Sequence, residues 1–124
     1  IEQPIARDKR HRHRMTVTED GRHAKTDWVL EEKFERLNVC LFRCGIHTGR
    51  THQIRVHMKF IRHPLLGDRT YGWRPDDRLP LTPDRVMLHA ERLRFTHPVT
   101  EEEISVQAPL PADFKAMIDS LREH

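Results

Sequence analysis

Thr48-Gly49-Arg50-Thr51-His52-Gln53-Ile54-Arg55-Val56-His57 is the stretch on which the reading of this chain turns. It packs two arginines, two histidines, a glutamine and two threonine hydroxyls around a turn glycine, with Ile54 and Val56 as its apolar members. Burying so many hydrogen-bonding groups is costly unless each finds a fixed partner. The run therefore reads as a site, and its arginines point to an anionic partner.

Working outward, Gly45 and Gly49 close the segment before it. Thr51 or Thr48 is expected to cap a helix running to about Phe60, with Ile54, Met58 and Ile61 on its buried stripe. His63-Pro64 ends that helix. Upstream, Lys25 to Lys33 is rich in strand formers, and Leu37, Val39 and Leu41 alternate with Asn38, Cys40 and Phe42, which predicts a second strand paired with the first. Asp20-Gly21 reads as a hairpin turn between Met15–Thr18 and that first strand. Residues Ile1 to Ile5 show neither a helix nor a strand opening. Downstream, Gly67-Asp68 and Tyr71-Gly72 mark turns, and Arg74 to Asp84 forms a Pro-rich loop. Leu88 to Phe95 and Glu103 to Val106 read as strands across a turn at Pro98-Val99-Thr100. Pro111 opens a last amphipathic helix with Phe114, Met117, Ile118 and Leu121. Strands in series with two helices point to α+β, with a mixed, mainly antiparallel sheet and flanking helices. Residues 1–124 read as one unit, without internal repeat.

Composition narrows the classes. The chain has 124 residues, 36% hydrophobic and 6% aromatic, lean for a self-sufficient core but short of disorder. Net charge is +3, with ten further histidines and a basic start against an acidic end. That asymmetry favours a polyanion partner. No apolar run approaches the roughly 20 residues of a membrane span. Cys40 and Cys44, four apart on a strand, would sit about 13 Å from each other, too far for a disulfide. A reduced, cytoplasmic protein is the expectation. The run Arg7, Lys9, Arg10, His11, Arg12, His13 and Arg14 is either a solvated arm or a contact with RNA phosphates.

Metal and nucleophile chemistry find little support. His52 and His57 lie about 140° apart around a helix, so they share no face. His11 and His13 flank an arginine, and no H-E-x-x-H pattern exists. Ser105 and Ser120 lack a nucleophile-elbow context. No metal is expected.

Gly49 to His57, then His63-Pro64-Leu65-Leu66-Gly67-Asp68 and Tyr71-Gly72, resemble the signature of RluA-type RNA pseudouridine synthases. Leu88-His89-Ala90, Leu93, Phe95, His97-Pro98 and Ala108-Pro109-Leu110-Pro111 follow in matching order, and Pro4-Ile5, Arg7, Met15-Thr16-Val17 and Ala24-Lys25-Thr26 fit the preceding segment. The resemblance covers essentially the whole chain and is nearest the subgroup modifying large-subunit ribosomal RNA. It implies isomerisation of uridine to pseudouridine in RNA without cofactor. Family members use an aspartate nucleophile in a motif resembling HRLDxxTSG, which this chain lacks. The chain is therefore expected to be the C-terminal half of one catalytic domain, inactive alone, with a catalytically silent RNA-binding module as the alternative.

The resemblance implies two roles for residues present here. Arg55 matches the arginine that pairs with the nucleophilic aspartate, keeping it ionised and oriented. Leu88 matches the apolar residue packed against the target uracil. Arg50, His52 and His57, with Arg10, Arg12 and Arg14, are expected to contact RNA, and Asp68 to hold its own loop. A half-domain would leave strand edges and an apolar face open, so a homodimer through an exposed sheet edge is also expected.

Overall fold

The computed structural model describes residues 1–96 and 98–123; His97 of the His97-Pro98 motif lies outside the described residues. The longest ladder is an antiparallel hairpin of β3 (Thr26–Phe34) and β4 (Val39–Ile46), as the alternation predicts. A short 3-10 turn, Glu35–Leu37, joins them, and Asn38 leaves it at φ 55°. Asparagine tolerates that left-handed conformation better than most residues.

A register shift between Leu30 and Glu32 decides what each face of the hairpin carries. Before it, Trp28 and Leu30 pair with Cys44 and Phe42; after it, Phe34 pairs with Val39. The extra residue switches the side-chain alternation of β3 relative to β4. Phe34 thereby joins Val39 and Leu41, and α2 (Ala112–Arg122) packs Met117 and Leu121 against Phe34 and Leu37. Arg122 fixes the helix end to Glu32 at 2.9 Å. On the opposite face, Trp28 and Phe42 stack with centroids 4.8 Å apart, while Trp28, Leu30 and Ile46 stay about half exposed.

The N-terminal region departs from expectation. Ile5–Arg7 forms β1 and pairs antiparallel with β2 (Met15–Val17), so β2 is not the partner of β3. The chain does turn at Asp20-Gly21, but Arg22 then returns beside Ile5 and Lys25 beside Glu2 as isolated bridges. A Cβ on Gly21 would lie 2.6 Å from the Ile5 backbone, so only glycine lets the strands cross here. Ile5, Ala24, Val56 and Tyr71 form a second core cluster, flanked by Met15 and Val17.

Helix α1 (Gln53–Phe60) occupies the expected segment. Neither threonine caps it. His52 is the N-cap, at φ 54° and without a side-chain cap bond. Its buried residues are Gln53, Val56, His57 and Met58, whereas Ile54 and Ile61 are only half-buried. The stripe runs through polar residues because these have fixed partners in β3 and the N-terminal segment.

β5 (Arg92–Thr96) and β6 (Glu103–Gln107) pair antiparallel near the C-terminus. The α+β class holds, and the pairing among the described residues is antiparallel, in three two-stranded ladders. No described helix is long and apolar enough to cross a membrane.

Candidate active-site half

Arg55 sits in the first turns of α1, facing the 3-10 turn Arg69–Tyr71. Its Nε donates to Asp68 Oδ2 at 2.9 Å and its Nη2 to Asp68 Oδ1 at 2.8 Å, a side-on fork. The Asp68 side chain is fully buried, that of Arg55 is 20% exposed, and the Tyr71 ring lies under the guanidinium at 4.9 Å. The bonds to Asp68 hold the guanidinium above its ordinary pKa, against a smaller effect of burial. Asp68 also accepts from Tyr71 N–H at 3.3 Å, capping the turn that carries the ring.

Tyr71 is fully buried, and burial pushes its hydroxyl pKa up. The hydroxyl accepts from Met15 N–H at 2.8 Å and presents its own proton to His52 Nδ1, also at 2.8 Å. Burial, reinforced by the positive Arg55, lowers the His52 pKa and favours the neutral ring this bond requires. His52 is thus part of the internal support of the site.

Leu88 lies on a neighbouring segment and is 37% exposed. Met87 N–H donates to Leu66 O at 2.9 Å, which docks that segment against the loop carrying Asp68. Gly67, at φ +83°, makes the approach feasible: a Cβ there would come within 2.1 Å of Arg85 O.

The other expected RNA contacts separate into two groups. His57 is fully buried, its Nδ1 bonded to Thr26 Oγ1 and its Nε2 to Gln3 O, both at 2.8 Å. It faces the core, where no phosphate reaches. Gln53 completes this network, donating to Thr26 Oγ1 and Lys25 O and accepting from Thr48 Oγ1 and Arg50 N–H. Arg50 donates through Nε to His23 O at 2.8 Å. Arg14 donates to Asp8 at 3.2 Å and Thr70 O at 3.4 Å, tying the basic loop to the Tyr71 turn. The side chains of Lys9, Arg10 and Arg12 are exposed at the tip of that loop.

Among the described residues no group of three His, Cys, Asp or Glu side chains could hold a metal ion. The pairing of Arg55 with Asp68 escaped the sequence reading, which gave Asp68 only its loop. The Asp68 to Tyr71 spacing carries a signal for the turn, an acidic cap three residues before the aromatic, but none for the arginine.

No family model matches the chain. It is 45% identical, over all of its length, to YlyB of Bacillus subtilis, an uncharacterized RNA pseudouridine synthase, of which it spans 39%. It is 44% identical over 99% of its length to the ribosomal large subunit pseudouridine synthase D of Vibrio cholerae, spanning 40% of that protein. Its structure matches that of human RNA pseudouridylate synthase domain containing 1 with a TM-score of 0.73 at 28% identity, covering all of this chain and 59% of that one. Over its whole length the chain is similar to RNA pseudouridine synthases. It spans about two fifths of the length of these curated relatives. Arg55 on α1 and the segment carrying Leu88 both meet the loop of residues 66–68, the first through Asp68 and the second through Met87 N–H on Leu66 O.

Proposed function

We propose that the protein carrying this chain isomerises uridine to pseudouridine in ribosomal RNA, most specifically in the large subunit. The observation that carries this reading is the disposition of Arg55. Its side-on fork is held by a buried carboxylate, which leaves the Nη1 and Nη2 end for a second carboxylate. That second carboxylate is the nucleophilic aspartate, supplied from outside this chain. In the reaction the glycosidic bond from N1 to C1′ breaks, the base turns, and C5 bonds to C1′ while the C5 proton leaves for solvent and N1 gains one. No redox change occurs, so no electron-transfer cofactor is required.

Leu88, exposed beside the site, supplies an apolar wall for a base taken out of its stack. Arg10 and Arg12 on the basic loop supply phosphate contacts. Modification of ribosomal RNA fits a cytoplasmic location, where Cys40 and Cys44, both free thiols, stay reduced.

The test is release of label from RNA carrying C5-tritiated uridine. The full-length protein is expected to release it, this chain alone is not, and Arg55→Ala in the full-length protein is expected to abolish release. Turnover by the isolated chain, or survival of activity in Arg55→Ala, would overturn the assignment.

A further inference from the structure

Arg55 has five N–H groups, and Asp68 occupies only the Nε side of the guanidinium. Among the described residues nothing bonds Nη1. The Tyr71 ring closes one face of the group, and its hydroxyl is pinned between Met15 N–H and His52 Nδ1. The arginine is therefore fixed in rotation as well as in place. A free arginine would have to lose that mobility on meeting a carboxylate, so pre-ordering it strengthens the contact it makes.

Resting on the reading that Arg55 meets a nucleophilic carboxylate, we propose that Asp68 and Tyr71 are positioning residues. They present the Nη1 and Nη2 end of Arg55 to that nucleophile, and Asp68 shares its charge. A guanidinium between two carboxylates stabilises each less than it would stabilise one alone. The nucleophile is thus kept ionised without being paired as tightly as an unshared arginine would pair it. The charged or titratable groups around Arg55 are Asp68 and Tyr71 on the turn and His52 at the start of α1, with Arg7 and Arg14 acting on these from the β1–β2 region.

The experiment measures kcat and KM for uridine-containing RNA across pH, in the full-length protein and its Arg55→Ala, Asp68→Asn and Tyr71→Phe variants. Asp68→Asn is expected to lower kcat by about tenfold or more, in the range seen when supporting shells are cut, with KM little changed. It should also move the acid limb of the profile to lower pH by roughly one unit, because Arg55 then serves the nucleophile alone. Tyr71→Phe should lower kcat severalfold without moving that limb. A purely structural Asp68 would lower activity equally at every pH, and an unmoved acid limb in Asp68→Asn overturns the proposal. Should Asp68→Asn not fold, Tyr71→Phe decides, and wild-type kcat there overturns it. Activity in Arg55→Ala would instead sink the functional reading, whereas inactive Arg55→Ala beside a wild-type-like Asp68→Asn would sink only this inference.

Discussion

The turn around Asp68 and the outer face of the β3–β4 hairpin lie in one small protein and are built in opposite ways. The turn is polar, and its buried groups are paired. Asp68 holds the Nε side of Arg55, Met15 N–H and His52 hold the Tyr71 hydroxyl, and no described buried side-chain polar atom lacks a partner. The hairpin face is apolar and incomplete, with Trp28, Leu30 and Ile46 about half exposed. A polar site must be closed by its own bonds wherever it is buried, because each unmade bond costs free energy locally. An apolar face carries no such local demand and is completed by whatever surface covers it. The chain therefore fixes the orientation of its arginine while leaving an apolar face about half exposed.

The largest effect is expected from attacking the joint of the complete region. Gly67→Ala would place a Cβ against Arg85 O in a left-handed backbone. We expect a loss of about 3 kcal/mol in urea unfolding, the upper part of the range for overpacking. Loss below about 1 kcal/mol would show that the Leu88 segment is not firmly docked. Asp68→Ala comes next. It strips a charge-assisted fork from Arg55 and a cap from the Tyr71 turn, and should cost about 2 kcal/mol because the partly exposed arginine regains water. An unchanged urea midpoint would break the claim that this region is held by its own bonds.

Trp28→Ala probes the open face and should act differently. The Trp28–Phe42 stack contributes about 1 kcal/mol, so stability falls little. Self-association, followed by sedimentation velocity over a range of concentrations, should weaken more visibly, since Trp28 is one of the large apolar side chains exposed on this face. A wild-type chain that stays monomeric at every concentration would remove the reason to treat this face as unfinished.

The same contrast explains what could be read in advance. The β3–β4 hairpin and α1 were legible because alternation and helical spacing are local signals. β1 was not, because Ile5–Arg7 is three residues long and becomes a strand only by pairing with β2 and meeting Arg22. The missing threonine cap has a similar cause. Thr48 accepts from Lys25 N–H across the fold and donates to the Gln53 side chain, and these bonds occupy the hydroxyl that a cap would use. Arg55 was singled out by resemblance, but its partner Asp68 lies thirteen positions away with no periodicity linking the two. His57 misled for a related reason. A histidine in a basic, polar run reads as facing solvent, and only Thr26 and Gln3 make its burial affordable.

That burial gives the smallest effect and the sharpest test of the complete region's limits. Burial holds the His57 pKa below its ordinary 6.5, against a weaker opposite effect of the bond to Gln3. The folded state then binds a proton less readily than the unfolded chain, so unfolding takes up protons and stability rises with pH across the interval. Its contribution is complete above about 6.5 and is lost as pH falls through 6.5 toward the lower folded-state value. Protonation would force Nδ1 to donate toward Thr26 Oγ1, whose lone pairs already receive Gln53 Nε2 and whose proton His57 had accepted. Because His52 is also held below its ordinary value and titrates with the same sign, the comparison must be between wild type and His57→Gln. We expect the urea midpoint of wild type to fall more steeply between pH 7 and pH 5 than that of the variant. Equal slopes would mean that His57 opens to water at little cost, and that the network of Thr26, Gln53 and Gln3 is looser than its hydrogen bonds imply.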